Sequence, residues 1–446
     1  MPEKQTQLRK ESDIARMPGR PQFNEQVTII GGGLMGMTAA WMLSEAGYPV
    51  MLIEQMAEPM SGTSKDALGI HLGGRYPHSP QTAAQCLESG IRFKQLMPFA
   101  VSKKRGPLNF LIAENSQVSY PKYIDFYKNH RNINYANRPQ EEQVFGEPET
   151  FFRELEQNEL QNFNNIAGGI TTQEACYHMP QAKKILINTL RARGVDIRTA
   201  TEVVGIDKPN TRYEVTWTNE DGNTGVIESD YVVNTAGYNA RVLSQELGIK
   251  PSVNLQLRFF SDVKIGRQTE RAYPNAFVLV PGGPGRDAMH YVPLRRRVAS
   301  LVGFSETIER TFVEQEMDLT IPQEWKEILR RDKVTQETLS QQIIDTARSL
   351  YMPKLGQNTQ TIEMRPGVAV SFSQSQFDKT QEGLIISDEL PDFVTAVPTK
   401  ASHAVTLGLE LVKNLIDQST QKGIFSELTD YAEQVSSGKN IWYLQK

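Results

Sequence analysis

The apolar positions of the chain fall into short blocks whose spacing changes along its length. "VTII", from Val27, is a compact run of β-forming residues, as expected of a strand buried in a parallel sheet. After it, Ala39, Ala40, Leu43 and Ala46 share one side of a predicted helix, Gly47 ends that helix, and "PVMLIE" reads as a second strand. "RFKQLMPFAVSKKRGPLNFLIAENS" reads as strands with a turn, and "RGVDIRTATEVVGIDK" as a helix end, a strand, a turn and another strand. Strands with period-2 stretches are expected in "SVNLQLRFFSDVKI", "NAFVLVPG" and "AMHYVPLRRRVASLVGF". These suggest a mixed or antiparallel sheet. "IPQEWKEILRRDKVTQETLSQQIIDTARSLY" is amphipathic and predicts a helix. A last helix is expected from about Ser402, with Val405, Leu409, Val412 and Ile416 as its buried stripe.

Between the first strand and helix lie Gly31, Gly33 and Gly36, a G-x-G-x-x-G. The first permits a tight turn, the second lets a pyrophosphate approach the backbone, and the third allows helix and strand to pack closely. Leu34 and Met35 stand at the helix start. Glu54 and Gln55 follow the second strand, about 20 residues past the loop, where an acid accepts a ribose hydroxyl. Strand, helix, Gly47, Val50 and Glu54 all fall in register, so the pattern predicts a dinucleotide site; it leaves the choice between NAD and FAD open.

Bulk properties narrow the class. The chain has 446 residues, enough for two or three domains. Apolar content of 39% and charged content of 22% fit an ordinary globular protein, and a net charge of −4 gives no reason to expect a nucleic-acid partner. The two cysteines, Cys86 and Cys176, form no CxxC or metal spacing and are expected in core or loop, so a reducing compartment is the default. No apolar run is long enough for a transmembrane segment, and the polar stretch 1–24 lacks the pattern of a signal peptide. It is expected to be a loose tail on a cytoplasmic protein.

"VTIIGGGLMGMTAAWMLSEAGYPVMLIEQ", "GTSKDALGIHLGGRYPHSPQTAAQCLESG", "DYVVNTAGYNA" and "VPTKASHAVTLGLELVKNL" together resemble the FAD-dependent oxidoreductases of the D-amino-acid oxidase superfamily. Within it, "GIHLGGRY" followed by "QCLESG" is most similar to the L-2-hydroxyglutarate dehydrogenase and glycerol-3-phosphate dehydrogenase branch. The resemblance implies FAD as cofactor. It implies an α/β architecture, with a Rossmann-like FAD-binding domain of the two-dinucleotide-binding-domain type interleaved with an α+β substrate domain on a mixed or antiparallel sheet. The expected FAD segments are 25–100, 165–250 and 355–425, the substrate segments 101–164 and 251–354, and 426–446 a C-terminal extension.

The resemblance also implies site residues. Thr63 and Ser64 would hold the pyrophosphate or ribityl chain, Gly69, Ile70 and His71 would pass the flavin ring, Val203 would lie beside the adenine, and Thr235, Ala236 and Gly237 would return to the FAD sheet. Lys400, Ala401, Ser402 and His403 would form a helix start aimed at the flavin carbonyl, although related proteins carry smaller residues there. An imidazole at His71 suits removal of a hydroxyl proton at neutral pH; a structural role and a covalent flavin tether are the alternatives. His403 is a second proton candidate. Arg365 could fork onto a substrate carboxylate or serve as a structural ion-pair partner. Alternation sets Tyr291 and Arg295 on one strand face and His290 on the other; if the former faces the flavin, Tyr291 and Arg295 shape the substrate pocket, and a solvated basic edge strand is the alternative. Arg75, Tyr76 and His78 read as ordinary loop residues. The implied reaction is oxidation of the C–H beside the hydroxyl of a small hydroxy acid. An amino acid or secondary amine as substrate, and a flavin-binding subunit without turnover, are the alternatives. The partner is a small carboxylate or amine, with oxygen or a quinone-type acceptor taking the electrons.

Overall fold

The computed structural model describes residues 23–62, 64, 69–102, 107–249, 253–279, 289–312, 325, 333–356, 358–372, 383–387, 389–398 and 400–419. Its first sheet has the order Gly383–Ser387, Leu390–Val397, Tyr231–Asn234, Val27–Ile30, Val50–Ile53 and Asp196–Arg198. The last five strands are parallel and the first pairs antiparallel with Leu390–Val397. Val27–Ile30 lies inside this sheet and is wholly buried, which explains its unbroken apolar run. The helix Leu34–Ala46 packs against the sheet, and helices Met179–Ala192 and His403–Ser419 pack against that helix. Pro80–Leu96 packs on His403–Ser419.

A second sheet has eight strands, in the order Gln360–Phe372, Val253–Lys264, Val298–Phe312, Met289–Arg295, Ala276–Leu279, Leu108–Ala113, Ile166–Thr172 and Phe152–Glu154. Its pairs are antiparallel except Ala276–Leu279 with Leu108–Ala113, so the expected mixed sheet is present. The strands Ile166–Thr172 and Gln360–Phe372 join this sheet, although their sequence neighbourhoods suggested the FAD segments. A three-stranded meander, Thr201–Asp207, Tyr213–Asn219 and Thr224–Ser229, completes the described strands.

The two faces of the eight-stranded sheet belong to different cores. Phe110, Ile170, Phe277 and Val302 join the core that contains the helix Leu34–Ala46. Leu111, Leu257, Phe259, Met289, Tyr291 and Leu301 join a separate core with Ile343 and Ile344 of the helix Lys333–Thr346. Each fully buried large apolar side chain contributes about 1.5–3 kcal/mol relative to exposure, so this division fixes which face looks toward the nucleotide unit. One local expectation fails. Residues 92–96, read as strand, belong to the helix Pro80–Leu96. Ser79 caps its start, accepting the Thr82 N–H, and it stops just before Pro98.

Candidate active site

The nucleotide end is built from the glycines upward. Gly31 has φ +99°, and a Cβ there would lie 2.6 Å from the Thr235 carbonyl oxygen. A Cβ on Gly36 would overlap the Gly31 carbonyl and come within 2.7 Å of Thr235 Oγ1. The Thr235 hydroxyl donates to the carbonyls of Ile30 (2.9 Å) and Gly31 (2.8 Å), and Ala236 lies against Gly31. Thus "NTAG" and the G-x-G-x-x-G meet across parallel strands, as their resemblance implied. Gly33 caps the helix without a side-chain bond. The Leu34 N–H donates to Ser64 Oγ at 2.9 Å, so this hydroxyl stands at the helix N-terminus, where a phosphate oxygen finds donors. Met35 is buried behind it.

Glu54 is buried. Its carboxylate accepts the N–H of Gly32 (2.5 Å) and of Met56 (2.8 Å), and burial raises its pKa against these two bonds. Gln55 bonds to the Tyr238 hydroxyl, and Val203 is buried in the core that holds Ile53 and Ile30. Glycine cradle, helix end and acid fit the pyrophosphate and ribose of a dinucleotide. Thr63 lies outside the described residues.

The loop after this grip is fastened from several sides. Gly69 bridges to Cys176, and the buried Ile70 donates its N–H to the Ala175 carbonyl. The Leu72 N–H donates to Glu174 Oε1 at 2.9 Å, and the Gly74 N–H bonds to the same carboxyl. The His130 ring holds the Leu72 carbonyl at 2.7 Å, and the Tyr123 hydroxyl donates to the Gly74 carbonyl at 2.9 Å. The loop is therefore short of side chains but rich in fixed backbone contacts.

His71 projects from it, with 13% of its side chain exposed. Its Nε2 is 3.3 Å from Arg75 Nη1, its Nδ1 is 3.8 Å from Glu174 Oε2, and its ring meets Phe277 edge-on at 6.4 Å. Burial, followed by the charges of Arg75, Lys400, His290 and Arg258, holds its pKa well below the usual imidazole value. Burial raises the pKa of Glu174 to about 8, so both groups are neutral at pH 7. The Arg75 guanidinium lies 4.3 Å over the Phe277 ring, and His290 stacks on that ring at 4.1 Å. Asn275 links His290 to Cys176. Lys400 Nζ stands 4.8 Å over the Tyr76 ring and bonds to the Cys86 thiol, whose pKa burial raises.

Arg75 thus lies against His71 and Phe277, while His78 is exposed. Tyr291 is corrected. It packs against Tyr273 in the far-face core, and Arg295 is exposed at the end of the strand. The alternation holds, but His290 is on the face that meets His71. Arg365 Nη2 donates to Asp262 Oδ1 at 2.9 Å, beside the Phe260 ring, so it is an ion-pair partner within its own sheet. Ala401 and Ser402 precede the helix His403–Ser419. Burial lowers the His403 imidazole to about 3, so this ring is neutral as well. Glu174, Arg258 and His290 carried no signal in the local sequence. The pairing of 69–70 with 175–176 that brings Glu174 in is long-range, and one polar residue in "QEACYH" does not announce it.

A parallel sheet with this glycine cradle, beside a second sheet, defines a dinucleotide-binding protein. The family profile of FAD dependent oxidoreductases matches residues 26–359, and the chain belongs to that family: it is an enzyme with FAD as cofactor. Solved structures share the fold. L-alpha-glycerophosphate oxidase from Mycoplasma pneumoniae, with FAD bound, has 18% identity, covers 88% of this chain and 94% of its own, and gives a TM-score of 0.63. L-amino acid deaminase from Proteus vulgaris has 12% identity, covers 90% and 95%, and gives 0.62. Glycine oxidase from Geobacillus kaustophilus has 16% identity, covers 88% and 95%, and gives 0.59. The finer likeness to the hydroxyglutarate and glycerol-3-phosphate branch is not singled out among these structures. Among the described residues, no helix is long and apolar enough to cross a membrane.

Proposed function

We propose that this enzyme oxidises the C–H beside the hydroxyl of a small anionic hydroxy acid. The supporting observation is the charge around His71. Arg75, Arg258 and Lys400 act on it as cations, whereas Glu174, the carboxyl beside it, keeps its proton to about pH 8. Cations facing a neutral base suit a carboxylate-bearing substrate. A neutral imidazole can accept the hydroxyl proton. FAD, when bound, supplies the acceptor for the hydride that leaves the carbon. The helix start after Ser402, with Lys400 beside it, suits negative charge on the reduced ring.

An amino acid or secondary amine is the second reading. A neutral amine needs no strong base, and glycine oxidase and L-amino acid deaminase share the fold. An anaerobic panel of hydroxy acids, amino acids and neutral alcohols, followed by flavin bleaching, separates these readings. Hydroxy acids are expected to bleach the flavin fastest. His71→Asn should slow that reduction by about 10²–10⁴-fold while FAD content stays unchanged. An unaltered rate in this variant would remove the base role. Reoxidation by oxygen against a soluble quinone then identifies the acceptor.

A further inference from the structure

The contacts of His71 fix more than its charge. A guanidinium has five donors and no acceptor. Arg75 Nη1, 3.3 Å from His71 Nε2, therefore faces a lone pair, and the neutral ring carries its proton on Nδ1. That Nδ1 faces Glu174 Oε2 at 3.8 Å, and neither atom has a hydrogen-bond partner. The other oxygen of Glu174 is tied to the Leu72 N–H, with the Gly74 N–H on the same carboxyl. The loop that carries His71 thus also fixes the carboxyl that faces it. The opposite tautomer would aim an N–H at a cation. The lone pair on Nε2 is the useful one, and Arg75 covers it.

We propose that Arg75 reads the substrate carboxylate, and that its transfer from His71 to that carboxylate uncovers the Nε2 lone pair. This rests on the hydroxy-acid reading above. A carboxylate accepts two parallel bonds from a guanidinium and outcompetes a long contact to a neutral imidazole. Phe277, 4.3 Å beneath the guanidinium, gives the planar group a surface to stack on. Arg365, already on Asp262, is bound to a carboxylate of its own sheet. Once Nε2 is uncovered, the substrate O–H bond breaks and its proton goes to Nε2. The C–H bond breaks with its electron pair leaving as the hydride described above, and the C=O bond forms. A neutral alcohol leaves the base covered. Arg75 is the specificity-determining residue here.

The test compares the hydroxy acid that bleaches the wild-type flavin fastest with its methyl ester, in anaerobic stopped-flow. Wild type should favour the acid by ~10- to 100-fold. Arg75→Met should retain FAD yet lose most of that preference, and Arg75→Lys should fall between. Glu174→Gln should keep the preference but move the pH dependence of reduction, which reflects Arg75, Lys400, His290, Arg258 and Glu174 around the imidazole. A wild-type acid-to-ester ratio in Arg75→Met overturns the inference while leaving the hydroxy-acid reading intact. If amines alone bleach the flavin, the reading falls and the proton step with it. A second readout needs no turnover. In protein labelled with [15N]histidine, with His71 assigned through His71→Asn, nitrogen-detected spectra should show the Nδ1–H tautomer. Pyruvate, as a carboxylate probe, should shift the Nε2 resonance in wild type and not in Arg75→Met. An Nε2–H tautomer in the free protein overturns the inference outright.

Discussion

Burial, more than any neighbour, sets the proton balance at His71 and Glu174. In both it is the largest cause of the shift, downward for the base and upward for the acid. A consequence for stability follows for Glu174, whose pKa is about 8 in the fold against 4.5 for the free side chain. Between these values the native state holds a proton that the unfolded chain has released. Stability is therefore full below about pH 4.5 and falls as pH rises toward 8, by up to ~1.4 kcal/mol per pH unit. Glu174→Gln removes the titration. Urea unfolding at pH 5 and pH 8 should show the variant losing at least ~2 kcal/mol less than wild type across that interval. Equal losses would mean that Glu174 is ionised in the fold. At this scale His71 stood out in the sequence as a candidate, because small residues and an imidazole stood together after a nucleotide grip. Arg75 was underread. Its contact with Phe277, and the approach of Glu174 to His71, are made by distant strands and loops.

Between elements, close packing transmits position to the site. Gly90, in the helix Pro80–Leu96, lets that helix rest on the His71 loop. A Cβ there would come within 2.7 Å of Leu72 Cδ2 and 3.4 Å of the His71 carbonyl oxygen. Gly90→Val should cost about 1–3 kcal/mol through overpacking. It should slow flavin reduction while the purified protein stays yellow, because the glycine cradle is untouched. Thermal melting and single-turnover reduction together check this; an unchanged rate beside a lowered melting temperature would separate the helix from the chemistry. The fingerprint was legible at this scale because its glycines answer to local sterics. The face of Met289–Arg295 was not. Period-2 alternation separates Tyr291 from His290, but which of them looks toward the cofactor depends on the helix Lys333–Thr346 covering the far side. Residues 92–96 were misread because a short apolar-polar run fits either period, and the helix stop at Met97 and Pro98 was the signal to weigh.

At the scale of the molecule, the chain crosses between its two large sheets several times. The interleaving was legible, since "DYVVNTAGYNA" so clearly completes the N-terminal grip. The crossing points were less so: Ile166–Thr172 and Gln360–Phe372 sit in the eight-stranded sheet because their register partners, Leu108–Ala113 and Val253–Lys264, lie there. A chain ended after residue 372 lacks Leu390–Val397, which pairs with Tyr231–Asn234, and the helix packed on Leu34–Ala46. Such a chain should copurify without flavin and expose apolar surface to a hydrophobic dye. A yellow truncated protein would show that the grip closes without its C-terminal strand.

The central place of Val27–Ile30 has a temporal consequence. Its neighbour on one side is Val50–Ile53, soon after it in the chain, but on the other side it waits for Tyr231–Asn234 and, beyond that, for Leu390–Val397. This strand is thus enclosed on both sides only after some 200 further residues have been made. Long-range pairing of this kind folds slowly and leaves strand edges open meanwhile. During synthesis the nascent chain should depend on chaperones until Leu390–Val397 emerges, and its capture of flavin should come as a late, abrupt event.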